Sequence, residues 1–229
     1  MNWTGSFLAQ GNLYGYGRLI WNSKITTEEI VDEWIKLTFG NNEKVVNNIS
    51  FILLNSWKTY ENYTVPLGIG WMVSTGHHYG PDIDGYEYSP WGTYNRANNK
   101  GLGIDRTIKS GTRYINQYNS PLKEVYEDIN RCADELLLFF HNVNYNHVLK
   151  SGKTVIQHIY DSHFDGYSFV ECFIEKLDEI KNNLNKEIYM HVREKLIEQL
   201  NNAREWRDRV NTYFYRMSGI PDNKNRKIY

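Results

Sequence analysis

The chain has 229 residues, 41% of them hydrophobic, and 26 Lys and Arg stand against 27 Asp and Glu for a formal net charge of -1. That much apolar material supports a sizeable core and argues against wholesale disorder, and the near-neutral balance leaves no electrostatic footprint for nucleic acid or an anionic membrane. No stretch approaches the roughly 18 apolar residues needed to span a bilayer, and two cysteines, Cys132 and Cys172, are too few for a disulfide framework.

The start, Met1-Asn2-Trp3-Thr4-Gly5, lacks the basic end and long apolar run of a signal peptide and reads as a chain entered midway. From Gly5 to Trp21, apolar residues interrupted by Gly11, Gly15 and Gly17 predict a short helix with close packing partners. Thr26 to Phe39 is a clear helix: Thr26 and Glu29 have capping-box spacing, Ile30, Val31, Trp34, Ile35 and Leu37 form an apolar face, and Gly40 is a natural stop. A second helix is expected from about Glu43 to Tyr60, antiparallel to the first across a short connection.

Residues 64–118 hold no lasting helical period. Glycines, three of the five prolines (Pro66, Pro81 and Pro90) and dense Tyr, His, Asp and Asn mark a long irregular region, the kind that usually carries function. Helices resume after Ser120-Pro121, read as a cap with Pro at the first helical position. A short apolar segment, Asp134 to Phe140, follows, then a helix ending near Tyr160. Two long amphipathic helices, about Tyr167–Leu184 and Lys186–Met217, read as a hairpin along which a second subunit could pack. The expected architecture is mainly α: one helical domain over 1–217 with the loop region 64–118 inside it, and a loose polar tail over 218–229.

Aromatic residues make up 15% of the chain, including 7 Trp and 18 Tyr, which suits carbohydrate stacking, a subunit interface or an aromatic core. Three constellations in the loop region could carry chemistry. His77 and His78 near Asp82 could hold a metal or move protons; as adjacent residues they point in different directions, and polar loop histidines that orient a sugar fit better. Asp82, Asp84, Glu87 and Asp105 could supply the two carboxylates of a glycosidase, or serve as ordinary turn residues beside Gly and Pro. Trp91, Tyr94 and Arg96 suit a sugar bearing a carboxylate, with rings on the pyranose and the guanidinium on the uronate, or an arginine bracing the loop against an aspartate.

Three strings then resemble one family: Gly76-His77-His78-Tyr79-Gly80-Pro81, Trp91-Gly92-Thr93-Tyr94-Asn95-Arg96-Ala97, and Gly101-Leu102-Gly103-Ile104-Asp105-Arg106-Thr107. With Asp32-Glu33-Trp34-Ile35, the run Tyr60–Gly68, Glu135–His141 and Leu149–Gly152, they are similar to the C-terminal region of the family 67 glycoside hydrolases, in one order from about Trp3 to Phe214. The resemblance implies part of an inverting, metal-independent α-glucuronidase, which removes α-1,2-linked (4-O-methyl)glucuronic acid from xylooligosaccharides without a cofactor. It implies a helical domain whose partners are the catalytic (β/α)8 barrel of the same enzyme, the glucuronic acid-bearing xylooligosaccharide and a second copy in a homodimer, with no nucleic acid or membrane partner. The acid and base belong to the barrel, so no catalytic residue is expected here and the four local acids do not match that pair. Trp91 and Tyr94, with Arg96, His77 and His78, become substrate-side candidates. Where the family commonly reads Tyr-His-Arg-Ala-Asp, this chain has Tyr94-Asn95-Arg96-Ala97-Asn98, lacking one ring and one charge. The resemblance leaves the compartment open. The alternative readings are a stand-alone carbohydrate-binding or assembly module and an enzyme with a site rebuilt inside residues 77–106.

Overall fold

A computed structural model of the chain describes residues 5–74, 76, 79–83 and 97–228. Among these residues the architecture is mainly α, with seven α-helices, short 3-10 turns and one two-stranded sheet. The chain divides into two compact units, Met1–Tyr60 with Gly166–Ala203, and Glu61–Asp165 with Arg204–Tyr229.

In the first unit, α1 (Gln10–Trp21) is shorter at its start than expected, and its buried Gly15 lies close to Ile30. The helix α2 (Thr27–Phe39) begins where its capping box predicts. Thr26 Oγ1 accepts from the Glu29 amide at 3.2 Å, and the Glu29 carboxylate accepts from the Thr26 amide at 2.8 Å, so two exposed donors are satisfied reciprocally. The helix α3 (Glu43–Thr64) runs one turn past its expected end. Trp34, Ile35, Val45, Ile49 and Ile52 from α2 and α3 pack with Phe173 and Leu177 of α6 (Val155–Asp178) and Val192 and Leu196 of α7 (Lys186–Ser218). Each such side chain taken fully out of water contributes roughly 1.5–3 kcal/mol before chain entropy is counted.

In the second unit, α4 (Leu122–Glu127) starts with Pro121 at the cap position rather than inside the first turn. The helix α5 (Asp134–Phe140) has the predicted bounds. Strand β1 (Gly101–Leu102) pairs antiparallel with β2 (Val143–Asn144), Gly101 opposite Asn144 and Leu102 opposite Val143. Beyond Thr64, the described part of the irregular region holds β1 and 3-10 turns at Pro66–Gly68, Gly70–Met72 and Tyr114–Gln117.

Two expectations change. The sequence predicts one helix ending near Tyr160 and another starting near Tyr167. The helix α6 instead runs unbroken from Val155 to Asp178. Its polar residues are interior: Asp161, Ser162 and His163 are buried. The polar segment after Ser218 is also anchored, not loose. Asp222 is buried, its carboxylate accepts from Gln157 Nε2 at 2.7 Å and from Arg226, and the Tyr160 hydroxyl donates to the Ile220 carbonyl at 2.8 Å. Cys132 (buried) and Cys172 are both free thiols, and burial pushes the Cys132 thiol up. Among the described residues no helix is long and apolar enough to cross a membrane.

Candidate functional site

The string Gly101–Thr107 is built to lie against the chain leaving α5. A Cβ on Gly101 would sit 2.1 Å from the Val143 carbonyl oxygen, and one on Gly103, at φ +92°, would sit 2.2 Å from that of His141. Only glycine permits both the approach and, at Gly103, the left-handed backbone. The run continues with the Ile104 amide donating to the Leu138 carbonyl (3.1 Å) and the Arg106 amide to that of Phe140 (2.9 Å). Gly103→Ala is therefore expected to destabilise the protein by at least about 2 kcal/mol, from backbone strain plus overpacking. Urea denaturation checks this, and an unchanged midpoint would mean that α5 and β2 can move apart freely.

Asp105 then folds the next turn. Its Oδ1 accepts from the Thr107 amide (3.0 Å) and hydroxyl (2.6 Å), and its Oδ2 from the Ser110 hydroxyl (2.8 Å). Partial burial raises its proton affinity, but these donors outweigh that and hold the carboxyl below the ordinary range. Glu127 closes the far side, its carboxylate accepting from the amides of Ile108 (2.8 Å) and Lys109 (3.1 Å). Both carboxylates are occupied by neighbouring donors, which is turn chemistry and not the free, paired arrangement a glycosidase requires.

The turn presents Arg106 to an aromatic cluster. Its guanidinium carbon lies 4.1 Å from the Phe139 ring centre and 5.7 Å from that of Tyr114, and Nη1 donates to the Phe139 carbonyl. Behind Phe139, Phe140 stacks on Tyr126 with centroids 4.4 Å apart and planes 14° apart, and Tyr118 meets both edge-on. His141 continues the run, its Nε2 lying 2.8 Å from the Tyr126 carbonyl oxygen. A cleft of about 240 Å³ opens beside Arg106, lined by Trp71, Phe139, Leu138, Ile104 and the rim glycines Gly68 and Gly70.

Trp91, Tyr94, Arg96, His77 and His78 lie outside the described residues, as do Asp84 and Glu87. Among the described residues of the same stretch of sequence, the Asp82 amide donates to the Met72 carbonyl at 2.7 Å, Val73 bridges to Pro81, and Trp206 Nε1 donates to the Tyr79 carbonyl at 3.4 Å. Among the described residues no group of three or more His, Cys, Asp or Glu is placed to hold a metal ion. The cleft at Arg106 has no signature in the linear chain: the arginine lies in the Gly101–Thr107 string, but Trp71 and Phe139, 35 and 33 positions away, carry no local signal that they share its surroundings.

This glycine-laced turn locked against α5 lies inside a mainly helical chain that matches Glycosyl hydrolase family 67 C-terminus over residues 4–227, and the chain belongs to that family. Among its curated relatives, "Probable alpha-glucuronidase A" of Neosartorya fischeri is 41% identical over 228 residues. "Probable alpha-glucuronidase A" of Aspergillus flavus and "Alpha-glucuronidase A" of Emericella nidulans are each 42% identical, over 225 and 226 residues. These alignments take in 98–99% of this chain but 27% of each relative, so the chain spans about a quarter of their length.

Proposed function

We propose that this chain is the helical C-terminal domain of an α-glucuronidase that removes α-1,2-linked (4-O-methyl)glucuronic acid from xylooligosaccharides, and that by itself it does not turn over substrate. The observation that carries this reading is the collinear match: nearly the whole chain aligns with a quarter of each α-glucuronidase relative. Inverting hydrolysis needs an acid and a base about 6.5–9.5 Å apart with a water between them. Asp105 and Glu127, described above, are both engaged in holding their own turn. The acid and base then belong to the barrel, in the part of the relatives that this chain does not match. The domain's share is a wall of the substrate pocket, with Trp91 and Tyr94 stacking on sugar and Arg96, His77 and His78 at the rim, together with a homodimer contact along α6 and α7.

The test is release of 4-O-methylglucuronic acid from aldotriouronic acid by the purified chain, alone and mixed with a separately produced barrel domain. No release alone and release on mixing is the expected result. Release by the chain alone would overturn the division of labour and move catalysis into residues 77–106. No release in either case, with retained affinity for the oligosaccharide, would favour a stand-alone binding module.

A further inference from the structure

We propose that the cleft beside Arg106 binds a single carboxylate-bearing sugar ring, with the Arg106 guanidinium reading the carboxylate and the Trp71 and Phe139 rings forming its walls. The choice of a sugar acid rests on the functional reading above; the cleft and its cation stand independently of it. A guanidinium offers a planar fork of donors that fits a carboxylate two bonds at a time. Among the described residues, Nη1 of Arg106 donates to the Phe139 carbonyl, the guanidinium packs on the Phe139 and Tyr114 rings, and no carboxylate pairs with it. The two nearest acids are committed elsewhere: Asp105 to Thr107 and Ser110, Glu127 to the amides of Ile108 and Lys109. Arg106 is also half-buried, and desolvation moves its pKa below the ordinary arginine value. A cation that has lost water and gained no counter-ion is costly to keep, and an arriving carboxylate would offset that cost.

The surroundings suit a sugar. Phe139 and Trp71 line it with aromatic carbon, and Gly68 and Gly70 leave part of its lining without side chains. At about 240 Å³ the cleft is below the size usual for drug-sized ligands, which favours one ring over an oligosaccharide. Backbone strain is concentrated beside it. Of the three non-glycine residues with positive φ among the described residues, Leu67 (54°) precedes Gly68, and Arg113 (63°) precedes Tyr114, whose ring neighbours Arg106. Strained residues persist where surrounding structure holds them, and they gather at ligand sites.

The test titrates glucuronate and glucose separately into the isotope-labelled chain and follows the Trp71 indole and Arg106 side-chain NMR signals. Glucuronate is expected to move both saturably, at least tenfold more tightly than glucose. Arg106→Gln should remove that preference, and Arg106→Lys should leave only part of it, because a point charge replaces the fork. Equal response to the two sugars would overturn the proposal. So would an undiminished preference in Arg106→Gln with an intact amide spectrum. Should Arg106→Gln fail to fold, Arg106→Lys and Trp71→Leu decide the matter in the same way. Hydrolysis by the mixed domains is scored separately: no hydrolysis with Arg106-dependent binding defeats only the functional reading, and hydrolysis without binding defeats only this one.

Discussion

Replacing Arg226 by Met is expected to cost about 3 kcal/mol of stability, which is large against the 5–15 kcal/mol typical of a whole domain. Arg226 stands between two buried carboxylates. Its guanidinium meets Asp222 at 2.8 Å and Asp161 at 2.5 Å, and its carbon lies 4.2 Å from the Phe164 ring centre. The Asp161 and Asp222 side chains are 3% and 1% exposed. Lys153 at 2.6 Å and Lys224 at 2.9 Å also reach Asp161, and Gln157 donates to both acids. Asp161 therefore survives loss of the arginine with cations still beside it. Asp222 is left with Gln157 as its side-chain donor, and an uncompensated buried charge is the expensive outcome. Met keeps the packing on Phe164, so urea denaturation of the variant reads mainly the electrostatic loss. Arg226→Lys should recover part of it. A midpoint unchanged in Arg226→Met would mean that the segment after Ser218 is not held as described.

The same cluster sets an acid limit. Burial would raise both carboxyls, but Lys153, Lys224 and Arg226 around Asp161, and Arg226 and Gln157 around Asp222, hold them well below the usual range. A carboxylate whose pKa is depressed on folding stabilises fully above its unfolded value and loses that contribution as pH falls through the folded one. This cluster therefore stays intact down to about pH 4 and fails only in stronger acid.

Between pH 6.5 and 4 a different group is expected to act, and the expected loss over that window is on the order of 3 kcal/mol. His163 in α6 has no exposed surface, and burial lowers its pKa from 6.5 to about 4. Its Nδ1 lies 2.7 Å from the Ile159 carbonyl oxygen, to which the neutral ring donates, while Nε2 has no hydrogen-bond partner among the described residues. The Thr64 carbonyl favours the charged ring without closing a hydrogen bond to Nε2, and burial outweighs both carbonyls. The unfolded chain takes up a proton near pH 6.5 that the folded chain refuses until about pH 4. Stability is thus complete above 6.5, falls through this window, and does not fall further on this account below it. Equilibrium unfolding at pH 7, 5.5 and 4 measures the slope, and His163→Gln should flatten it. A wild-type stability constant from pH 7 to 4 would show that His163 is not held neutral.

Much of the helical layout is legible in the linear chain because its signals are local. Thr26 and Glu29 are three positions apart and cap α2 as that spacing requires. The dense apolar run Asp134–Phe140 fits α5 at both ends. The glycines of Gly101–Thr107 announce a tight approach, though not that its partners are the carbonyls of Val143 and His141. Local reading fails where a polar residue has a distant partner. Asp161-Ser162-His163 falls between the two expected helices, a run of polar side chains that in isolation would seek water. In the folded chain Asp161 is answered by Arg226, 65 positions away, and the helix continues through it. For the same reason the segment after Ser218 looks free while Gln157 and Asp161 hold it.

The sequence by itself determined the mainly helical class, most helix positions and membership of family 67, all of which depend on residues near one another or on ordered strings. Only the tertiary structure decided that Glu127 closes the Asp105 turn, that His163 is buried neutral, that Arg226 neutralises two acids, and that Arg106 faces a cleft where no described acid pairs with it. The physical reason is that burial and charge compensation depend on which atoms surround a group in space, and residues 18 to 65 positions apart leave no periodicity from which that neighbourhood can be read.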